Sequence, residues 1–192
     1  MRLGPSFSAL LCTALAACET IAPYAPPASY YGYTGHAMYN ARELGSVREH
    51  GPVPVIVRGS PFPGVAPDAL ARTIAPMIAG ANGGAPLQYT ADRSSTRVVD
   101  HVVVIAYGHV TGGPAALCAN PDAALTPSAA SPLHAEAAFC IGPTRVTEIQ
   151  GDLRASPRAA DDPVFRDFTR GLMRNLMPPY NWNLGPCRPG DC

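Results

Sequence analysis

The spacing of apolar residues predicts two amphipathic helices. Between residues 67 and 79, apolar side chains recur at helical intervals, at Leu70, Ile74, Met77 and Ile78. A second stripe follows the acidic pair Asp161-Asp162 and the first-turn residue Pro163, and consists of Phe165, Phe168, Leu172 and Leu176. Acidic residues before a first-turn proline are typical of a helix N-terminus, and the pair Pro178-Pro179 ends the pattern.

Short segments bounded by turn residues, the first of them β-branched, predict a sheet of about five strands. They occupy residues 53–58, 87–90, 97–107, 135–141 and 145–153. The run 97–107 is almost continuously apolar, which favours a central strand covered on both faces. Gly142-Pro143-Thr144 lies between the last two runs and predicts a hairpin. Together these elements predict an α+β fold in which an antiparallel sheet carries both helices on one face.

The first residues follow a different pattern. Residues 3–17 are apolar or small behind Arg2, a run shorter than the ~20 residues that a membrane-spanning helix needs. This is typical of a secretion signal peptide. The residues Leu15-Ala16-Ala17-Cys18 resemble the lipobox of bacterial lipoproteins. The resemblance implies cleavage before Cys18, lipidation of Cys18 and, because Glu19 rather than Asp follows, an outer-membrane location. An ordinary signal peptide followed by an unrelated cysteine is the alternative.

Composition divides the chain into four parts. Residues 1–17 are the predicted signal peptide, and residues 18–46, rich in Pro, Gly and Tyr without any period, are the predicted lipidated cysteine and flexible tether. Residues 47–180 form the predicted α+β domain, and residues 181–192 a C-terminal tail. The tyrosines of the first 46 residues either bind peptidoglycan sugars or, as we favour, lie against the domain or lipid headgroups; they are Tyr24, Tyr30, Tyr31, Tyr33 and Tyr39.

The cysteines predict disulfides. Of six Cys, one lies in the signal peptide and one in the lipobox, which leaves Cys118, Cys140, Cys187 and Cys192 for an oxidising compartment and allows three pairings. A Pro-Gly turn between Cys187 and Cys192 favours a small loop in the tail, and Cys118 would then pair with Cys140. A metal site would need clustered thiols or a nearby pair of His, so we favour disulfides over metal.

Charge argues against nucleic acid as a partner. All the basic residues are Arg, and the formal net charge is +0. There is no basic surplus to neutralise phosphates. The expected partners are therefore the membrane, through the lipid anchor, and an envelope protein or peptidoglycan.

The sequence contains no familiar catalytic motif, phosphate loop or metal motif. Asp100-His101 is an acid beside a histidine, but neighbouring residues of a strand point to opposite faces. His101 and His109 would lie ~26 Å apart along one strand, too far for one metal unless the chain folds back beyond the strand end. Glu148 and Asp152 are candidate paired carboxylates, although ordinary surface charges explain them better. We therefore expect no catalytic residue, metal ligand or cofactor.

These patterns lead to an expected function. The protein is predicted to be a non-enzymatic outer-membrane lipoprotein, facing the periplasm, that binds or scaffolds an envelope component. The alternative is a periplasmic hydrolase acting on cell wall or glycan. The order of elements resembles that of the lipopolysaccharide-assembly and transport-auxiliary lipoproteins of Gram-negative envelopes. The strand followed by Gly59-Ser60-Pro61-Phe62, with the paired Cys, also resembles small uncharacterised alphaproteobacterial envelope proteins, a likeness that implies no function.

Overall fold

The computed structural model describes residues 27–35, 39–42, 44–92, 94, 101–120, 122–128 and 132–180. The predicted signal peptide, Cys18, Asp100 and the pair Cys187 and Cys192 lie outside the described residues. The predictions made for them therefore stay predictions.

The described residues form an α+β domain with seven strands and four helices. The strands are β1 (Ala28–Gly35), β2 (Val53–Arg58), β3 (Tyr89–Thr90), β4 (His101–Val110), β5 (Leu125–Pro127), β6 (Leu133–Ile141) and β7 (Thr144–Leu153). The helices are α1 (Leu44–Glu49), α2 (Pro67–Met77), α3 (Ala116–Ala119) and α4 (Pro163–Leu176). The predicted α+β class, both amphipathic helices and the β6–β7 hairpin are confirmed.

The sheet is mixed, whereas the sequence analysis predicted only antiparallel pairing. Its strand order is β1-β7-β6-β4-β2-β3, with β5 paired to β4. The pairs β1–β7, β7–β6 and β6–β4 are antiparallel, but β2 runs parallel to both β4 and β3. The difference has a simple cause: α2 carries the chain back between β2 and the strands that follow, and such a crossover joins parallel strands.

The two faces of the sheet are covered differently. Helices α2 and α4 pack on one face over the larger core, as predicted, and Phe165 of α4 contacts Phe62 and Tyr107 with ring centroids 5.0 and 5.5 Å away. The opposite face carries a smaller apolar cluster under the short helix α3. A disulfide between Cys118 and Cys140 joins α3 to β6, with their Cα atoms 5.6 Å apart. The predicted pairing of these two cysteines is confirmed, and closing their loop stabilises the fold by about 3 kcal/mol.

Part of the predicted tether is a strand. Residues Ala28–Gly35 form β1 and pair with β7 at the edge of the sheet. The Tyr30 ring stacks on Phe168 of α4 at 5.8 Å, and its hydroxyl donates to the Phe168 carbonyl at 3.0 Å. Tyr39 is 1% exposed and donates to the carbonyl of Pro178. These contacts confirm that Tyr30 and Tyr39 lie against the domain, and they explain why a segment without a regular sequence period is ordered.

The β6–β7 hairpin contains a one-residue bulge. Cys140 pairs with Arg145 and Phe139 pairs with Thr147, so Val146 has no partner across the ladder. Beyond this point the side chains of β7 alternate regularly, with Ile149 and Leu153 in the helix-covered core. The bulge explains why the sequence of β7 does not alternate cleanly from its first residue.

A substitution at Gly171 tests the packing of β1 on α4. A methyl group at this position would overlap the Tyr30 hydroxyl and ring. We expect Gly171→Ala to lower the free energy of unfolding by ~1–3 kcal/mol, the usual cost of overpacking. Adding Tyr30→Ala should remove most of that cost. Gly45→Ala is the control, because its methyl group would meet nothing within 4 Å. Urea unfolding that gave Gly171→Ala and Gly45→Ala equal stability would contradict this packing.

The helix cap formed by Asp162 should make the stability of the folded protein depend on pH. The Asp162 carboxylate caps α4 by accepting from the backbone N–H of Val164 at 3.0 Å and from that of Arg158 at 3.2 Å. Hydrogen bonds from these two amides hold the pKa of Asp162 below its usual value. Its stabilising effect is therefore full above the ordinary Asp pKa and is lost as the pH falls through the lower folded value.

We expect Asp162→Ala to lower the thermal midpoint at neutral pH, and the difference from the unaltered protein to narrow as the pH falls below the ordinary Asp pKa. The matched control is Asp161→Ala, one position earlier, which should leave both the midpoint and its pH dependence close to those of the unaltered protein. Thermal melts followed by circular dichroism across the acidic range make the measurement. A difference independent of pH would show that the carboxylate charge has no part in the cap.

Candidate functional site

Four polar side chains meet on the sheet face opposite α2 and α4, where β4 ends and β6 begins. They are His109 of β4, His134 and Glu136 of β6, and Asp152 of β7. His134 and Glu136 are two residues apart on one strand and so point to the same face. Asp152 lies directly across the ladder from His134. We call these four residues the carboxylate–histidine cluster.

The imidazole of His134 lies between two carboxylates. Its Nδ1 is 2.7 Å from Oδ1 of Asp152, and its Nε2 is 3.3 Å from Oε1 of Glu136. The ring of His109 stacks on that of His134 with centroids 4.0 Å apart, and its Nδ1 is 3.7 Å from the same Glu136 oxygen. Two imidazoles and one carboxylate therefore converge on a single small volume, with the second carboxylate behind His134.

Burial and charge act in opposite directions on His134. Burial lowers its pKa, whereas the hydrogen bonds and negative charges of Glu136 and Asp152 raise it; together the two carboxylates prevail, so the pKa lies above its usual value. The two carboxylates therefore stabilise the protonated form of the His134 imidazole.

Glu136 is the most unusual member of the cluster. The residue is 3% exposed. Its Oε1 lies 3.3 Å from the backbone N–H of Val110, which donates to it, whereas its Oε2 is buried without a hydrogen-bond partner. Burying a carboxylate oxygen without a protein hydrogen-bond donor is destabilising. The described part of the protein supplies no donor to this oxygen.

The cluster reaches solvent on one side. The His109 side chain is 67% exposed and that of Asp152 is 31% exposed, whereas His134 and Glu136 are nearly fully buried. At this rim the Tyr31 hydroxyl of β1 lies 3.4 Å from Nδ1 of His134. Burial and the neighbouring Asp152 raise the pKa of Tyr31 to about 12, so it remains a neutral hydroxyl. His109 and Asp152 therefore form the solvent-facing side of the cluster.

Gly108 places His109 in the cluster. Regular alternation along β4 would send His109 to the helix-covered face, after Val103, Ile105 and Tyr107. Gly108 has φ +137°, and a methyl group there would overlap the carbonyl of Thr126 in β5. This conformation, which favours glycine, interrupts the alternation and lets His109 stack on His134.

No family model, curated protein or solved structure matches the chain. Within the part of the chain that the structure describes, no helix has the length and apolar character needed to cross a membrane.

The structure brings two of the described residues considered for chemistry into the cluster, His109 and Asp152. Asp152 belongs to it, but its partner there is His134 and not Glu148, which forms an ion pair with Arg145 at 2.9 Å. His101 lies at the opposite end of β4 from His109, with its ring stacked on Phe139 at 5.8 Å.

His134 and Glu136 were not among the predicted site residues. The signal in the sequence was a His-x-Glu spacing within a strand, which places the two side chains on one face.

Asp152→Asn tests the electrostatics of the cluster. It removes one of the two negative charges that raise the pKa of His134, so we expect that pKa to fall. The measurement is an NMR titration of the His134 ring in protein freed of metal with a chelator. Glu148→Gln is the control. Because Glu148 is paired with Arg145 and not with His134, this substitution should leave the His134 titration unchanged. An Asp152→Asn protein with the unaltered titration would show that the 2.7 Å contact does not persist in solution.

Proposed function

We propose that the protein is a lipid-anchored module of the bacterial cell envelope whose α+β domain binds a ligand at the carboxylate–histidine cluster. The observation that carries the proposal is the buried Glu136 carboxylate with its unpartnered Oε2. Buried polar groups in native proteins almost always have partners, and the exceptions concentrate at functional sites. In a binding module, the ligand would supply the partner that Oε2 lacks.

The disulfide supports the envelope location. Cys118 and Cys140 are joined across the face that carries the cluster. Structural disulfides are typical of oxidising compartments such as the bacterial periplasm. The same compartment is implied by the resemblance of Leu15-Ala16-Ala17-Cys18 to a lipobox. An acyl anchor of two or more chains on Cys18 would hold the domain firmly at the membrane, and we propose the periplasmic side of the outer membrane.

The hydrolase alternative also has an observation in its favour. The Asp152–His134 pair, at 2.7 Å, is the arrangement in which a carboxylate orients an imidazole that acts as a general base. A hydrolase of cell wall or glycan would use His134 in that role and admit its substrate past His109. Release of soluble fragments from peptidoglycan by the purified protein, lost in His134→Ala, would favour this alternative over a binding module.

Cys18→Ser tests the anchor. We expect the unaltered protein to fractionate with outer membranes, and Cys18→Ser to appear in the soluble periplasmic fraction or as an unprocessed precursor. Cys12→Ser, a change at another cysteine of the N-terminal region, is the matched control and should leave fractionation unchanged. Globomycin, which blocks lipoprotein signal peptidase, should cause a larger precursor to accumulate. A Cys18→Ser protein that is processed and fractionates like the unaltered one would contradict the anchor.

A further inference from the structure

Three members of the carboxylate–histidine cluster bring possible metal-ligand atoms close together. One ligand atom from each of His109, His134 and Glu136 lies within 4.8 Å of the other two. Bonds of about 2.1 Å in a tetrahedral site place neighbouring ligand atoms roughly 3.4 Å apart. Glu136 Oε1 is 3.3 Å from the His134 nitrogen and 3.7 Å from the His109 nitrogen. The ligand atoms are thus close to the spacing that a metal needs, and the exposed His109 ring, which is stacked on that of His134, would turn to direct its nitrogen at the same ion.

Asp152 occupies the position of an outer carboxylate. Metal-binding histidines commonly donate the N–H of the second ring nitrogen to a carboxylate, which fixes the tautomer and the ring orientation. Asp152 lies 2.7 Å from Nδ1 of His134. With the proton held on that side, Nε2 presents its lone pair toward Glu136, where the metal would lie. Asp152 is thus a positioning residue.

The unpartnered oxygen of Glu136 is a second and independent indication. A metal bound at Oε1 lies within reach of Oε2 as well, so the carboxylate can bind through one or both oxygens. A divalent cation would also balance the negative charges of Glu136 and Asp152, which face each other across His134 with the Glu136 side chain only 4% exposed. The same ion would therefore satisfy both the geometry and the charge of the cluster.

We propose that the cluster binds one first-row divalent transition-metal ion, with His109, His134 and Glu136 as ligands and at least one position open toward solvent. The proposal rests on the proposed function that this cluster is a binding site. Two imidazole nitrogens and one carboxylate suit Zn²⁺, Fe²⁺, Cu²⁺ or Ni²⁺, whereas Mg²⁺ and Ca²⁺ prefer oxygen ligands. Three protein ligands with an open position are typical of metal sites that exchange or react.

Zn²⁺ titration of the full chain, purified in detergent and freed of metal with a chelator, tests this proposal. We expect isothermal titration calorimetry to give one Zn²⁺ per chain and no comparable binding of Mg²⁺. His109→Ala and Glu136→Gln should weaken Zn²⁺ binding about 100-fold or more. Asp152→Asn, which removes only the outer carboxylate, should weaken it by ~10–100-fold. His50→Ala, an exposed histidine outside the cluster, is the control and should bind as the unaltered protein does.

A second measurement guards against misfolded variants. The exposed His109 side chain contributes little to the core, so His109→Ala should keep the thermal midpoint of the metal-free protein. Zn²⁺ should raise the midpoint of the unaltered protein, because a ligand that binds only the folded state stabilises it. It should not raise that of His109→Ala. Zn²⁺ binding unaffected by His109→Ala, or lost equally in His50→Ala, would overturn the proposal.

Native mass spectrometry of protein isolated from envelopes separates this inference from the proposed function. A bound metal ion that is present in the unaltered protein and absent from the Glu136→Gln protein supports both the metal site and the proposed binding function. A different bound molecule that Glu136→Gln loses overturns the metal but leaves the cluster as a binding site. If the isolated protein carries nothing and Zn²⁺ does not bind, both are overturned.

Discussion

The register of the β6–β7 hairpin is the constraint on which the candidate site depends. Val146 is an extra residue in β7, and it shifts the pairing by one position between Cys140 and Phe139. Without the shift, the pairing next to the turn would continue and place Asp152 opposite Leu133. Since a slip of one residue turns every side chain to the other face, Asp152 would then point into the helix-covered core. The bulge thus sets the 2.7 Å contact between Asp152 and His134.

The remainder of the fold lets one face of the sheet carry this polar cluster. Helices α2 and α4 bury the larger apolar core on the opposite face, so most of the hydrophobic stabilisation does not involve the cluster. On the cluster's own face the apolar contacts are fewer, and the Cys118–Cys140 disulfide holds α3 there by a covalent bond. The helix-covered face supplies most of the hydrophobic stabilisation. The fold therefore tolerates the buried Glu136 carboxylate, which lacks a full set of partners, on the opposite face.

Helices α2 and α4 and the β6–β7 hairpin were predicted from the sequence because each has a signal among neighbouring residues. Helices α2 and α4 have helical periodicity and first-turn prolines, and the hairpin has a turn sequence, Gly142-Pro143-Thr144, between its two strands. Strand β1 has no such signal, because its order comes from the contact of Tyr30 with Phe168, 138 residues away. The parallel pairing of β2 with β4 depends on how α2 packs, which is likewise not local. The candidate site was predictable in part: Asp152 was considered, but its partner depends on the bulge, and the place of His109 depends on the backbone of Gly108.

A purely structural role for the cluster explains only some of its contacts. To join β6 to β7, a hydrogen bond between His134 and Asp152 is sufficient. It does not account for Glu136, whose second oxygen is buried without a partner, or for the exposed His109 stacked above His134. Buried ion pairs are often no more stabilising than apolar residues of the same size, so stability alone does not favour a charged group at position 136. Glu136 and His109 are explained together when a cation lies between them, because the carboxylate then has a partner and the histidine a reason to face it.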